Sequence, residues 1–398
     1  MVSSARIANG LTRRDLGRLS GGTVLALAAL PAWAELASEM VKLPPGFLGM
    51  NVLWGPGDAA ALRDRFTRAG ALGLAELRID WEWRVAEAHP GVYDWTVFDR
   101  LVGIAREKGV RLLPIVHYAP AWALVSASKD SQSFELAPAD NAFEPFAQFV
   151  AACVRRYGPG GDAPVPFHPI THWQVWNEPN NKDFWGPAPQ AVRFGQMMRR
   201  VTIALAPYRG RIQVVHAGLS NADVMFLCQL WDADRHYGET FDVMAVHPYI
   251  FDRWQGVRRP DDMDADIATD AALGFVGDKN KPNYLGKVFN LQLLMTLRGD
   301  EGKPIWITEM GFFVSNTWLG VSEGRQAVLL SKTMDYIAKH LRERPFGEGK
   351  RALAANVQRV YWFALDDFAS PDGVGNFGVY RADHSLRPSG QMIRSLLS

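Results

Sequence analysis

Short runs of apolar, β-branched and aromatic residues alternate along this chain with longer stretches whose apolar positions recur at helical spacing. That alternation restricts the fold more than any other feature. The runs are Phe47–Val52, Ala75–Ile79, Arg111–Val116, Ile170–Trp176, Ile212–His216, Phe241–Val246, Pro304–Thr308 and Val357–Ala364. Between them lie amphipathic stretches such as Asp58–Ala71, Trp95–Lys108, Asn141–Tyr157, Ala188–Ala206 and Ser322–Leu341, with Ser389–Leu397 as a short last helix. A run apolar at nearly every position suits a strand covered on both faces, as parallel sheets are. Eight strands each followed by a helix predict an α/β protein, a single (β/α)8 TIM barrel. An open doubly wound sheet is the other arrangement of such units, but no G-x-G-x-x-G follows the first run.

Two of these strands end alike. Trp173-Gln174-Val175-Trp176 runs into Asn177-Glu178-Pro179, and Pro304-Ile305-Trp306-Ile307 runs into Thr308-Glu309-Met310-Gly311. A carboxylate at the mouth of a buried strand is costly unless it is paired or used. Two carboxylates delivered to one level by two parallel strands are what cleavage of a glycosidic bond needs.

In a barrel the C-terminal ends of the strands converge on one pocket. Here they bring Asn51 with Trp54, Arg78 with Trp81 and Trp83, and His117 with Trp122. The later strands add His247 with Tyr249, and Trp362 with Asp366 and Asp367. A lone His or Trp at such a position is more often core than site; their concentration at one end is the signal. Indole faces stack on sugar rings, while Arg, Asn and His bond hydroxyls, so the pocket reads as a saccharide site. His117, His216 and His247 sit on separate strands without the tight ligand spacing of a zinc site, so no metal is expected. Two long connections, Ser126–Asp140 and Ile250–Asn283, fall on the pocket face. The second carries Asp261-Asp262-Met263-Asp264-Ala265-Asp266, but Ile267 and Leu273 stand where a calcium loop needs Gly and Glu. It reads as a solvated acidic loop.

Residues 1–34 read as an address. Thr12-Arg13-Arg14-Asp15-Leu16 has a twin-arginine pattern, Gly21 to Leu30 is uncharged, and Ala32-Trp33-Ala34 offers a cleavage site. The apolar part is far shorter than the roughly 20 residues that span a bilayer. Export to the periplasm or beyond is therefore expected, leaving residues 35–398 as the barrel and no membrane span in the mature chain. Removing Arg6, Arg13, Arg14 and Arg18 with Asp15 takes three net positive charges from the full chain's +1 and leaves −2. A nucleic-acid partner would want a basic surface, so none is expected. Cys153 and Cys228 lie on apolar helical stripes and read as small buried hydrophobes, though an exported protein could pair them.

These motifs resemble those of glycoside hydrolase clan A, the retaining (β/α)8 superfamily, and within it families 39 and 5. Asn177-Glu178-Pro179 is similar to the acid/base motif of the fourth strand, and Thr308-Glu309-Met310-Gly311 to the nucleophile motif of the seventh. Arg78 matches the second-strand Arg, His117 a third-strand His, His247-Pro248-Tyr249 the sixth-strand pair and Trp362 the eighth-strand Trp. The resemblance spans essentially all of residues 35–398. Many family 39 xylosidases add a β-sandwich. Here about 30 residues follow the eighth strand, too few for a domain of usual size, which leaves endo action on a polysaccharide open. The resemblance also implies a non-proline cis peptide at Trp362–Phe363.

The implied reaction is retaining hydrolysis of a poly- or oligosaccharide without a cofactor. Glu178 would act as general acid/base, with its pKa raised by burial or by its acidic neighbour. Glu309 would be the ionised nucleophile held by Arg78 and Tyr249, and Asn177 would bond the substrate 2-hydroxyl. His117, His247 and Trp362 would complete the binding site. Asn177 and Glu178 can both face the pocket only if the strand loses regularity there, because strict alternation sends neighbours to opposite faces. The alternative is an inactive carbohydrate-binding barrel.

Overall fold

The strands do form, and in parallel. In the computed structural model, residues 41–55, 57–125, 136–249, 285, 287–316, 320–342, 355–370 and 375–398 are described. They belong to one unit, Val41–Ser398. Residues 1–34, where an export signal is expected, and the acidic run Asp261–Asp266 lie outside the described residues, as does most of each long connection.

The strands are β1 (Leu48–Val52), β2 (Glu76–Glu82), β3 (Arg111–His117) and β4 (His172–Val175), then β5 in two pieces, Gln213–Val215 and Leu219–Ser220. β6 (Met244–His247), β7 (Ile305–Met310) and β8 (Val357–Trp362) complete the set. The sheet runs from the first piece of β5 through β4, β3, β2, β1, β8, β7 and β6 to the second piece of β5. Its two edges are thus halves of one strand. A bridge between Val215 and Val243 and the bond from His216 N to Val243 O close the ring. The barrel is complete, and it has no free edge to protect.

Each strand is followed by a helix. These are α1 (Ala59–Ala71), α2 (Thr96–Glu107), α3 (Phe143–Tyr157), α4 (Ala191–Ala204), α5 (Val224–Ala233), α6 (Lys287–Leu297), α7 (Glu323–Tyr336) and α8 (Pro388–Leu397). Asp58, Asp223 and Ser322 cap α1, α5 and α7 by accepting first-turn N–H groups, and Pro388 opens α8 where its missing donor costs nothing. α6 escaped the periodicity argument because it is apolar nearly all round. Val288, Phe289, Leu291, Leu294 and Met295 are all buried, leaving little polar face to reveal the period.

Inside the barrel, Leu113, Val215, Val243, Ala245, Trp306 and Tyr361 form an apolar plug. Above it the inward residues turn polar. Outside, the tryptophans fill the layer between sheet and helices: Trp81 stacks on Phe98 at 4.3 Å, and Trp83 meets Trp122 edge-on at 5.2 Å. Trp81 and Trp83 therefore support the wall and do not line the pocket. Cys153 is buried, Cys228 half-buried, and both are free thiols. No helix among the described residues is long and apolar enough to cross a membrane.

Candidate active site

Register sorts the strand-end residues. Asn51 pairs with Arg78 across β1 and β2, so both face inward, and Asp80 follows on the same face two residues on. Met50 pairs with Trp362, and both therefore face outward. The structure corrects the expectation for Trp362: it is fully buried with its ring 5.8 Å from Phe312, outside the pocket. Tyr361 belongs to the inner plug, so alternation returns Phe363 to the inside, where its ring meets Tyr249 at 6.4 Å. The non-proline cis peptide is likewise one residue further on, at Phe363–Ala364. Asp366 and Asp367 are also turned away. Asp366 pairs with Arg65 and Arg68 of α1, and Asp367 with Arg387 at the start of α8.

Both glutamates reach the pocket through broken strand geometry. β4 ends at Val175, and Trp176 and Glu178 adopt positive φ of 70° and 41°. These left-handed conformations are strained for such side chains, on the order of 1 kcal/mol or more each. They let Asn177 and Glu178 face the pocket together. In β7 the register with β8 shifts between Ile307 and Met310, so Thr308 and Glu309 also both point inward. Close backbone approach supports the two sites. A Cβ on Gly218 would lie 1.9 Å from His247 Nε2, and one on Gly311 would lie 2.0 Å from the Phe363 carbonyl oxygen.

Arg78 is the hub. Its guanidinium donates to Glu309 Oε1 at 2.6 Å, Asn51 Oδ1 at 2.7 Å, Gln174 Oε1 at 2.7 Å and Asn177 Oδ1 at 2.9 Å. Tyr249 donates its hydroxyl to Glu309 Oε2 at 3.0 Å. Burial opposes ionisation of Glu309, but the charges of His247 and Arg78, with the hydrogen bonds of Arg78 and Tyr249, hold it below the usual carboxylate range. Tyr249 is pushed well up, by burial first and then by Glu309 and Glu178, so its proton stays available for donation.

Glu178 has different company. His247 places Nδ1 2.7 Å from Glu178 Oε1, with its Nε2 3.0 Å from Thr308 Oγ1 and 3.7 Å from Glu309 Oε1. Asn181 donates to Glu178 Oε2 at 3.0 Å. One carboxylate oxygen of Glu178 and one of Glu309 lie within 4.8 Å of each other and of a His247 ring nitrogen. Those three side chains could geometrically surround a cation. However, Arg78 already neutralises Glu309 and both imidazole nitrogens are engaged, so a metal would have to displace existing bonds.

His117, on β3, lies with Nε2 2.9 Å from Asp80 Oδ1. Burial tends to raise the Asp80 pKa, but His117 and the nearby Arg78 and Arg84 bring it below its ordinary value. His216 is not part of the pocket. Its ring packs among Phe194, Tyr237 and Phe241 in the helix layer, and burial lowers its pKa to about 4. Six of the eight sequence-derived positions, all but Trp362 and His117, are thereby joined in one bonded cluster: Glu178, Glu309, Asn177, Arg78, His247 and Tyr249. Gln174, Thr308, Asp80, Asn181 and Phe363 were not singled out. A Gln inside a run such as Trp173-Gln174-Val175, and strict alternation from Arg78 to Asp80, were the available signals.

The comparisons with known proteins agree with this architecture. No family model matches the sequence, and no curated protein matches it. Among solved structures, the chain is similar to a family 39 glycoside hydrolase from the gut symbiont Bacteroides cellulosilyticus WH2, with a TM-score of 0.61 at 19% identity. It is also similar to the family 39 enzyme from Xanthomonas axonopodis pv. citri (0.62, 17%) and to an exo-β-1,4-mannosidase from Opitutaceae bacterium strain TAV5 (0.58, 15%). The matches cover 88%, 90% and 88% of this chain, and 63%, 67% and 59% of those proteins. The fold is therefore the (β/α)8 barrel of these glycoside hydrolases, and the chain spans about two thirds of their length.

Proposed function

We propose that this protein is a retaining glycoside hydrolase acting on a poly- or oligosaccharide. The observation that carries the reading is the unequal treatment of two carboxylates with oxygens within 4.8 Å of each other. Retaining enzymes hold their carboxyl groups about 5–5.5 Å apart, and inverting ones about 6.5–9.5 Å. Glu309, ionised beside Arg78 and Tyr249, attacks the anomeric carbon and forms a glycosyl ester. Glu178 gives its proton to the departing oxygen, then takes one from the water that hydrolyses the ester. Asn177, oriented by Arg78, bonds the 2-hydroxyl as the oxocarbenium-like transition state forms. His117 and Asp80, inward-facing on neighbouring strands, bond further hydroxyls, and Phe363 replaces Trp362 as the aromatic beside the sugar.

Residues 1–34 support export by the twin-arginine route as part of the same proposal. The test of function is a panel of polysaccharides and aryl glycosides given to the purified protein, with the anomer of the first product read by NMR. First-formed product with inverted configuration, or saccharide binding with no hydrolysis on any substrate, would overturn the reading.

A further inference from the structure

A cleft of about 860 Å³ opens beside the glutamate pair, on the side of Glu178. It is not over the carboxylates themselves; it meets them through Asn181, which lines the cleft and donates to Glu178 Oε2. In the proposed reaction Glu178 protonates the oxygen that leaves with the departing sugar. Space reached past Glu178 and its partner Asn181 is therefore space for the leaving group.

The cleft is built before any ligand arrives. One wall is the loop after β4, the second the loop between β5 and α5, and the third the start of α6. Asn180 ties the first wall to the second, donating to Ser220 O at 2.9 Å and accepting from Ser220 N at 3.0 Å. Lys287 ties the third to the second by donating to Asn221 O at 3.2 Å. Pinned walls lower the ordering cost of binding.

Its chemistry is that of a neutral polyol site. Lys182 and Lys287 are balanced by Asp183 and Asp223. The N-terminus of α5, which could attract an anion, is already closed by Asp223, whose Oδ1 accepts from the N–H groups of Met225 and Phe226 at 3.0 Å each. Asn181, Asn221 and Asn290 offer amides, while Pro189, Val224 and Met225 offer small apolar patches to C–H faces. No aromatic ring is among the described lining residues. The volume is near the top of the roughly 300–1,000 Å³ that encloses a drug-sized ligand, and a disaccharide is of that size.

Resting on the glycosidase reading above, we propose that this cleft is a leaving-group site for an uncharged oligosaccharide of at least two units. The enzyme then releases a saccharide and is adapted neither to a small aglycone nor to a lone monosaccharide on that side. Binding energy gathered there, away from the reacting carbon, is available to lower the barrier at it.

The test compares substrates that share one glycone: an aryl glycoside, and oligosaccharides with one, two or three neutral sugars on the leaving side. From one to two leaving-side sugars, kcat/KM should rise by about tenfold or more, the worth of one good hydrogen bond. A uronic acid in place of the second sugar should give no additional rise. Met225→Trp and Asn290→Trp, which intrude from two different walls, should lower kcat/KM for the two-sugar substrate about tenfold more than for the aryl glycoside. As a measurement on the unaltered enzyme, added neutral disaccharide should intercept the glycosyl ester and yield a longer product. Activity independent of leaving-group length, together with no transfer product, would overturn the cleft assignment while leaving the glycosidase reading intact. Wild-type protein inert on every substrate would overturn both.

Discussion

Glu178 and Glu309 are buried to a similar depth, with side-chain exposures of 8% and 13%. Both stand at the end of a strand that has lost its regular alternation. Burial and position therefore do not separate their roles; their partners do. Glu309 has a guanidinium on one oxygen and a phenol on the other, so its charge is stabilised in place. Glu178 has an imidazole and a side-chain amide, partners that can serve it with or without its proton. In the proposed reaction, two carboxylates of the same type thus take opposite tasks from what faces them.

The largest effect that breaks this comparison is at Glu309, the nucleophile of the proposed reaction. Glu309→Ala should reduce turnover on every substrate by roughly 10⁴- to 10⁶-fold, the scale seen when a nucleophile is removed. Assay on an activated aryl glycoside checks it, and residual activity near wild type would sink the assignment. Glu178→Ala should lose about 10²- to 10⁴-fold on natural linkages and far less on an aryl glycoside that leaves without a proton. The ester on Glu309 should then accumulate, and azide should restore turnover with retained configuration in the glycosyl azide.

Arg78→Met sharpens the comparison by removing the asymmetry itself. With the guanidinium gone, the Glu309 pKa rises, so the acidic limb of kcat/KM against pH should move to higher pH, with roughly 10²-fold lower activity on the plateau. The stability consequence has a definite sign. A Glu309 pKa depressed below the unfolded value of about 4.3 contributes stability above that pH and loses it as pH falls through the folded value. The variant should lose this contribution and fall by roughly 3–5 kcal/mol at neutral pH, because a buried carboxylate is left without its partner. Denaturant melts at several pH values measure it. Tyr249→Phe removes one bond to the same carboxylate. It should cost roughly 10- to 100-fold in kcat/KM, as one hydrogen bond to a charged group does, and shift the acidic limb the same way by less. The smallest contrast is between adjacent aromatics. Phe363→Leu should raise KM several-fold at nearly constant Tm. Trp362→Phe should lower stability by roughly 1–3 kcal/mol, as large-to-small core changes do, and leave KM unchanged.

Much of this molecule was legible in the order of its residues. Alternating runs such as Arg111–Val116 and Trp95–Lys108 determined a barrel, because strands apolar on both faces must be covered on both. The endings Asn177-Glu178-Pro179 and Thr308-Glu309-Met310 determined which residues would converge, because parallel strands deliver their C-terminal ends to one side. What only the tertiary structure decided was direction. Trp362 and Phe363 differ by one place, and in a strand one place is the whole difference between outer wall and pocket. The neighbouring pair Asn177 and Glu178 breaks that same parity through positive φ at Trp176 and Glu178, a distortion held by Gly218, between the two pieces of the adjoining β5, and His247 on β6. Asp366 and Asp367 were chemically apt for a site, but arginines on α1 and at the start of α8 claimed them. Which of two apt carboxylates meets Arg78 depends on pairings across the whole chain; the resemblance of the motifs implied the partner, but local residue order carries no physical record of it.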